Sequence, residues 1–303
     1  MTQAAVVGLE WGTALSGAIV LADGHVFASQ TVATPPEAQA ALDASIVLIQ
    51  SLLEQAAEHD LNMIGMGVGA HGLVDVREGI LQTSRLFKTW HNVPLVSTLK
   101  AAFHLPVTLT NAAQASALLE YESGAAARAS HALYVSIGQI IESAYVINGA
   151  IFQGAQEGGE SIGLLTADWR GEKPISLDEV VTIPGIQKMY YSRTRINERP
   201  SYEEIVQLAL DGHSLALKAI RDTARMLGTL LPPVAGLMGA GLIIVGGEIP
   251  QIGPLWWVPF EAAFYSNRST TAPPILLRQA HYGSSSVLTS VGRLALRYFL
   301  PER

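Results

Sequence analysis

The stretch Leu133-Tyr-Val-Ser-Ile-Gly-Gln-Ile-Ile-Glu-Ser-Ala-Tyr-Val-Ile-Asn-Gly149 constrains the fold more than any other. Leu133 to Ile137 is apolar and rich in β-branched side chains, and Gly138 marks a tight turn. Ala144 to Ile147 is apolar again, and Asn148-Gly149 is a strong hairpin signal. The same order of strand, glycine turn and second strand occurs at 4–21, as Ala4–Leu9, Glu10-Trp-Gly-Thr13 and Ser16–Leu21. A unit that returns half a chain later predicts a duplicated α/β fold with a cleft between its halves. No short-period repeat accompanies it.

In a phosphate-binding enzyme such a turn is filled with glycines, so that backbone N–H groups approach an anion closely. Here Gly138 is followed by Gln139, Ile140, Ile141, Glu142 and Ser143. A β-branched side chain is poorly suited to positive φ. A Glu142 carboxylate beside a phosphate would repel it by roughly a few kcal/mol at intermediate dielectric; pointing to solvent, it would be neutral. The turn is built like a phosphate turn but lacks its furnishing.

Along the chain, a third strand at Val26–Val32 completes an N-terminal meander, and Pro35-Pro36 punctuates it. Apolar spacing predicts a long helix from Glu37 to His59. A buried strand at Met63–Val68 leads into Gly69-Ala-His-Gly-Leu-Val-Asp75, and Arg77–Thr89 reads as loop with Glu78-Gly79 in a turn. A short helix at Val96–Phe103, a strand at Leu105–Thr110 and a helix at Ala112–Gly124 follow. Ala150–Pro184 reads as irregular, with a helix from Asp178 that Pro184-Gly185 ends. Helices are expected at Tyr202–Leu210, Leu215–Leu230, Pro254–Tyr265 and Ser285–Phe299, with strands at Leu242–Val245 and Ile275–Leu277.

Composition excludes several classes of function. The 303 residues suffice for two domains, and the 49% apolar share fits a well-buried globular protein. A net charge of -7 with no run of Lys and Arg argues against a nucleic-acid surface. The absence of cysteine rules out disulfides, thiolate catalysis and cysteine-held zinc. The N-terminus has no signal-peptide pattern and no apolar run approaches a membrane span, so a cytoplasmic protein is expected. Asn267-Arg-Ser269 matches a glycosylation acceptor, which carries little weight without a leader.

Six motifs in order resemble the ROK family of sugar kinases and sugar-responsive repressors, over nearly the whole chain. Val7-Gly-Leu-Glu-Trp-Gly-Thr13 is similar to the first phosphate strand. Gly72-Leu-Val-Asp75, followed by Trp90, is similar to the segment leading to the sugar cleft, and Val107–Glu120 to the strand and helix carrying Asn-Asp-Ala-Asn-Ala. Ser136–Ile151 is similar to the second phosphate turn, Glu157-Gly-Gly-Glu-Ser-Ile-Gly-Leu164 to Gly-Glu-Ile-Gly-His, and Ile243-Ile-Val-Gly-Gly247 to the adenosine-side strand. The resemblance implies duplicated actin-like, ribonuclease H-like α/β domains flanking a cleft. The expected division is 1–115, with part of 285–303 packing back on it, and 116–303. It also implies a homodimer. A repressor of the family carries an N-terminal DNA reader, and this chain starts at the first phosphate strand, so direct DNA binding is not expected.

The resemblance also shows where the chemistry departs. The family's base is the Asp of Asn-Asp; here the pair is Asn111-Ala112. Alanine accepts no proton, an expected loss of about 10²–10⁴-fold. The bland alternative makes Asn111 a helix N-cap in a shifted register. Glu10 stands where Asp supports Mg²⁺, unless it is only an edge-strand carboxylate, and Trp11 either covers the nucleotide or is a half-buried strand aromatic. Gln139 replaces the turn's Thr. Leu164 replaces the zinc-binding His and Ser176 a zinc-binding Cys, so no structural zinc is expected.

The resemblance assigns sugar contact to Asn111, Glu160, His71 and Gly72. The extra Ser161 leaves Glu160 uncertain by one position, and His71, at a family Pro, reads equally as a loop residue. Weak nucleotide contact falls to Glu10, Gly12, Thr13, Gly138, Gly246 and Gly247. No residue is assigned catalysis, since Ala112 holds the base position. Trp256-Trp257 reads as core or as a stacking surface, and the other histidines lack metal spacing. The expected function is a sugar-binding pseudokinase or regulator; the alternative is an active hexose kinase with displaced residues, which alone would need ATP and Mg²⁺.

Overall fold

The computed structural model describes residues 3–127, 129–154, 161–170, 172–194, 199–268, 273–283 and 286–300. The chain divides into two compact units. One draws on the described residues of Met1–Leu119, Gln153–Glu160 and Ser285–Arg303, the other on those of Glu120–Phe152 and Ser161–Ser284.

In the first unit, β1 (Ala4–Trp11), β2 (Ala14–Leu21) and β3 (Val26–Ala33) form the antiparallel meander. Helix α1 (Ala38–Glu58) brings the chain back, so that β4 (Asn62–Ala70) lies parallel to β1. A small antiparallel sheet of β5 (Gly72–Asp75), β6 (Ile80–Ser84) and β7 (His91–Val93) comes next. Helix α2 (Leu95–Phe103) leads to β8 (Val107–Asn111), parallel to β4, and α3 (Ala112–Ser123) begins at once from its end. The main sheet runs β3-β2-β1-β4-β8.

Helices cover both faces of this sheet. On one side α1 buries Leu42, Leu48, Ile49, Leu52 and Ala56 against Val7, Leu9, Met66 and Val68. Among the described residues α1 is the one helix long and apolar enough to cross a membrane, and this buried stripe is its use in the fold. On the other side lies the C-terminal helix, Ser286–Phe299, with Val291 and Ala295 buried. Alternation along β4 points Gly65, Gly67 and Gly69 toward it. A Cβ on Gly67 would strike the Val291 carbonyl, and one on Gly69 would lie 2.8 Å from Val287 Cγ1. The glycine stripe lets helix backbone approach strand backbone.

The second unit repeats the plan. β9 (His131–Ile137), β10 (Ile141–Ile147) and β11 (Ala150–Ile151) form an antiparallel meander. A hairpin of β12 (Thr166–Arg170) and β13 (Lys173–Ser176) precedes α4 (Asp178–Val181), α5 (Ile183–Tyr191), α6 (Tyr202–Leu210) and α7 (Ser214–Met238). β14 (Leu242–Gly246), α8 (Pro254–Ser266) and β15 (Leu276–Gln279) complete it. The sheet order β11-β10-β9-β14-β15 matches that of the first unit strand for strand. The half-chain echo therefore extends to whole sheets. Leu133, Val135, Ile137, Ile243 and Val245 face one core shared with Ile186, Ile205, Leu227, Trp256 and Phe260.

Several elements depart from the sequence expectation. Arg77–Thr89 contains β6, because Gly79 at φ 70 supplies the turn that pairs β5 with β6. Pro184-Gly185 opens α5 rather than closing a helix: Thr182 caps Gly185 N–H, and proline is well tolerated in a first turn. The irregular segment holds the β12–β13 hairpin. Helix α7 runs through Pro232-Pro233 and stops only at Gly239, φ 66. Burial of Leu227, Leu231 and Ala235 outweighs the missing N–H groups there.

Candidate functional site

The carboxyl ends of β1, β4 and β8 lie side by side, with Trp11 opposite Ala70 and Ala70 opposite Asn111. In open α/β sheets this edge is where ligands bind. The first glycine turn, Gly12-Thr13, leaves it from β1. Thr13 is exposed, but Gly12 is buried. His71 occupies the space above it: a Cβ on Gly12 would lie 2.9 Å from His71 Cδ2. His71 Nε2 is 3.0 Å from Glu10 Oε1, with the two side chains only 18% and 20% exposed. The backbone N–H of His71 donates to the Trp11 carbonyl at 3.2 Å. Glu10 is thus not an edge carboxylate in solvent, and an imidazole holds one of its oxygens.

Trp11 is a strand aromatic of β1, fully rather than half buried at 1% exposure. Its Nε1 donates to Ser45 Oγ at 2.6 Å, and its ring lies 4.7 Å from that of Trp90. Trp90 is itself buried, stacks on Phe87 at 4.1 Å and donates to the Pro36 carbonyl at 2.8 Å. These indoles hold the first core together and present no ring face to a sugar.

Asn111 caps α3. Its Oδ1 accepts from Ala113 N–H at 2.9 Å and Gln114 N–H at 3.1 Å, and its Nδ2 donates to the Gly72 carbonyl at 2.9 Å. Gly72 sits at φ 143, with the Thr83 carbonyl where a Cβ would be. The amide is engaged at both ends, in capping the helix and in tethering β5. The next residue, Ala112, is fully buried and packs with Ala115, Val287 and Val291. Its methyl fills an apolar contact with the C-terminal helix. Glu160 lies outside the described residues.

In the second unit, the Gly138-Gln139-Ile140 turn joins β9 to β10. Ile141 N–H donates to Asp178 Oδ1 at 2.8 Å, and the Ile141 carbonyl accepts from Ser161 Oγ at 2.7 Å. Ile183 N–H donates to the Gly138 carbonyl at 2.9 Å. Segment 178–183 is therefore stitched to the turn, and an internal carboxylate takes the N–H of Ile141. Glu142 is not in the turn or in solvent. It lies in β10 opposite Ser136 and is 6% exposed, because strand pairing starts at Ile141.

Gly246 and Gly247 close on the protein itself. A Cβ on Gly246 would lie 2.7 Å from Tyr134 Oη, and Gly247, at φ 91, would meet Ile137 N and O at 2.5 Å. Glu248 Oε1 lies 3.1 Å from the Cβ position of Gly138, so a second carboxylate borders the turn. Burial, with the Glu248 and Glu203 charges adding to it, pushes the Tyr202 phenol far above its usual range.

The residues at the zinc position do not suit a metal. Leu164 is 64% exposed, and Ser176 is engaged by Glu179, whose Oε2 accepts from Ser176 N–H at 3.0 Å and from its hydroxyl at 3.3 Å. Those bonds hold the Glu179 carboxyl below its ordinary value. Among the described residues no group of three His, Asp or Glu side chains is placed to hold a metal ion. Trp256 is core, stacked on Phe260 at 4.6 Å. His213 is an N-cap, accepting from Ala216 N–H.

The ROK family profile matches residues 6–297. The chain belongs to the ROK family. Among curated ROK relatives it is 24% identical to the glucokinase of Thermotoga maritima, over 95% of this chain and 98% of that protein. It is 24% identical to the xylose repressor of Caldicellulosiruptor bescii, over 69% of this chain. The match spans 56% to 62% of the length of the xylose repressors it resembles. A ROK glucokinase of Streptomyces griseus, solved with glucose and AMPPNP, superposes with a TM-score of 0.85 at 20% identity, covering 96% of this chain and 98% of that one. The ROK fold, actin-like and α/β, is thus the fold of this chain, and its relatives include both sugar kinases and sugar repressors.

Sequence reasoning named Glu10, His71, Asn111 and Gly72, which the fold brings to one sheet edge. It missed Asp178 and Glu248 as neighbours of the second turn. The only sequence signal for Asp178 was its place at a family Glu, and Glu248 carried none beyond following Gly-Gly.

Proposed function

We propose that this chain is a ROK protein that binds a sugar or similar polyol and has given up phosphoryl transfer, acting as a ligand-responsive regulator. The observation that carries this reading is Ala112, a methyl sealed among Ala115, Val287 and Val291 where the family places its general base. No proton acceptor stands in its place on α3, whose next polar side chain is Gln114. Three further features agree. His71 covers Gly12 and holds Glu10. Asp178 takes a backbone N–H at the second turn. Glu248 places negative charge beside Gly138, where a phosphate would suffer like-charge repulsion.

On this reading Gly72 and Asn111 frame the sugar site, with Glu160 contributing from outside the described residues. ATP, Mg²⁺ and zinc are not its cofactors. It works in the cytoplasm as a homodimer without direct contact to DNA or membrane. Ligand binding acts by favouring one conformer of a retained fold.

The second reading, an active sugar kinase, is favoured by the exposed Thr13 at an intact first turn and by the retained Glu10 carboxylate. An ADP-release assay over a panel of pentoses, hexoses and N-acetylated hexosamines separates the two. The first reading expects a thermal shift with at least one sugar and no ADP with any. Turnover by the unaltered protein defeats it.

A further inference from the structure

One cavity of the second unit has no residue of the Gly138 turn or of Gly246-Gly247 in its lining. It runs between α7 and α8 and encloses about 890 Å³, a volume in the range of small-molecule sites. Its two walls differ in character. On α7 it is lined by Arg221, Arg225 and Thr229, spaced four apart and so on one helix face. On α8 it is lined by Leu255, Val258, Pro259 and Ala262, also one face. A cationic stripe thus confronts an apolar one.

The cations here are in surplus. Asp222 is the one acid shared by Arg193 at 2.7 Å, Lys218 at 3.3 Å and Arg225 at 3.9 Å. Its strongest partner is Arg193, so Arg225 is held only loosely. Arg221 makes no ion pair among the described residues. In a chain of net charge -7 such a concentration of positive charge is local, not a general property of the surface. The apolar wall has a second irregularity. Pro259 stands inside α8 and has no N–H to give the Leu255 carbonyl one turn back. Val258 is 59% exposed on the same wall, an apolar side chain without cover.

We propose that this cavity is a second binding site, for an amphipathic anion: an apolar or aromatic body against α8 with a carboxylate or phosphate group on Arg221 and Arg225. None of its lining residues is among those assigned to sugar, and the site does not depend on the loss of kinase chemistry. An effector bound there would report to the unit that carries the second turn.

The test uses the full chain and 8-anilinonaphthalene-1-sulfonate, an aromatic anion whose fluorescence rises in apolar surroundings. One saturable site per chain is expected, with affinity that falls as salt rises. The neutral analogue N-phenyl-1-naphthylamine is expected to bind at least about tenfold more weakly, and Arg221→Gln with Arg225→Gln to remove most of that difference. Both arginines are exposed, so the variants retain the fold. Val258→Trp, which fills the cavity, is expected to block the probe. Competition by octanoate against octyl phosphate then tells which head group is preferred; displacement by either supports the site. Equal binding of charged and neutral probes, or an unchanged affinity in the double variant, overturns the proposal. So does displacement by Mg–ATP, which would make this the nucleotide site. So does absence of binding together with a Val258→Glu-induced change of oligomeric state, which would make this face an interface between copies.

Discussion

His71 Nε2 lies 3.0 Å from Glu10 Oε1, and its ring occupies the space that a Cβ on Gly12 would need. One imidazole therefore ties up the acidic group at the end of β1 and packs down on the glycine turn beside it. The pair is an internal contact at the end of β1.

That packing gives a double-mutant test. Gly12→Ala in the native background forces the His71 ring to move and is expected to cost about 1–3 kcal/mol. In a His71→Ala background the same substitution is expected to cost almost nothing, a coupling of about 1 kcal/mol or more in urea unfolding. Equal costs in the two backgrounds would show that the ring does not fill the turn.

Restoring the family's base is expected to damage this protein rather than revive it. Ala112→Asp buries a carboxylate among Ala115, Val287 and Val291. The cost is expected to be about 3–5 kcal/mol, the range for an uncompensated buried charge. Thermal and denaturant unfolding measure it. Ala112→Asp with undiminished stability would mean that the side chain has an open path to solvent.

Asn111→Ala removes a buried cap and the tether to the Gly72 carbonyl together. The cap alone accounts for about 1–2 kcal/mol, and the stranded Gly72 carbonyl adds about 1–3 kcal/mol more. Asn111→Asp keeps the acceptor for α3 but loses the donor to Gly72, so it is expected to fall between wild type and Asn111→Ala.

Much of the fold was legible because its signals are local. Apolar periodicity gave α1, and the doubled strand–turn–strand gave two related sheets. What was missed rests on partners distant in sequence. Pro232-Pro233 ends a helix in isolation but not one that buries Leu227, Leu231 and Ala235. Glu142 seemed to sit in the turn because its neighbours are turn-like; only the register with Ser136 puts it inside the strand. The sequence does not pair Trp11 with Trp90, which meet each other across 79 residues. The site was legible in residue types and illegible in contacts. Nothing in the sequence says that Asp178 reaches Ile141, or that His71 bends back to Glu10.

Acid stability offers a check on the β13–α4 corner. Ser176 N–H, its hydroxyl and nearby lysines hold the Glu179 carboxyl below 4.5. A depressed folded value contributes stability that is complete above the ordinary value and is lost as pH falls through the folded one. Glu179→Gln is therefore expected to lose a small stabilisation near neutrality and to flatten the stability profile below pH 4.5, where the native protein loses it too. An identical acid limb in the variant would contradict the assignment.

Tyr202 is 9% exposed, and its hydroxyl has no hydrogen-bond partner among the described residues. Tyr202→Phe removes an unsatisfied buried group at constant shape, so it is expected to leave the melting temperature unchanged or raise it. In the native protein the raised phenol value means that stability falls as pH climbs above 10, and the variant is expected to lose that dependence. A destabilised Tyr202→Phe would show that the hydroxyl is bonded in solution.

The most direct test of the central claim is calorimetric titration of Mg–ATP into the unaltered protein, with no sugar present. It requires no guess at the substrate. A protein whose phosphate turns are closed by His71, Asp178 and Glu248 gives no binding heat up to millimolar nucleotide. Clear micromolar binding would mean that those turns still hold phosphates, and the kinase reading would take precedence.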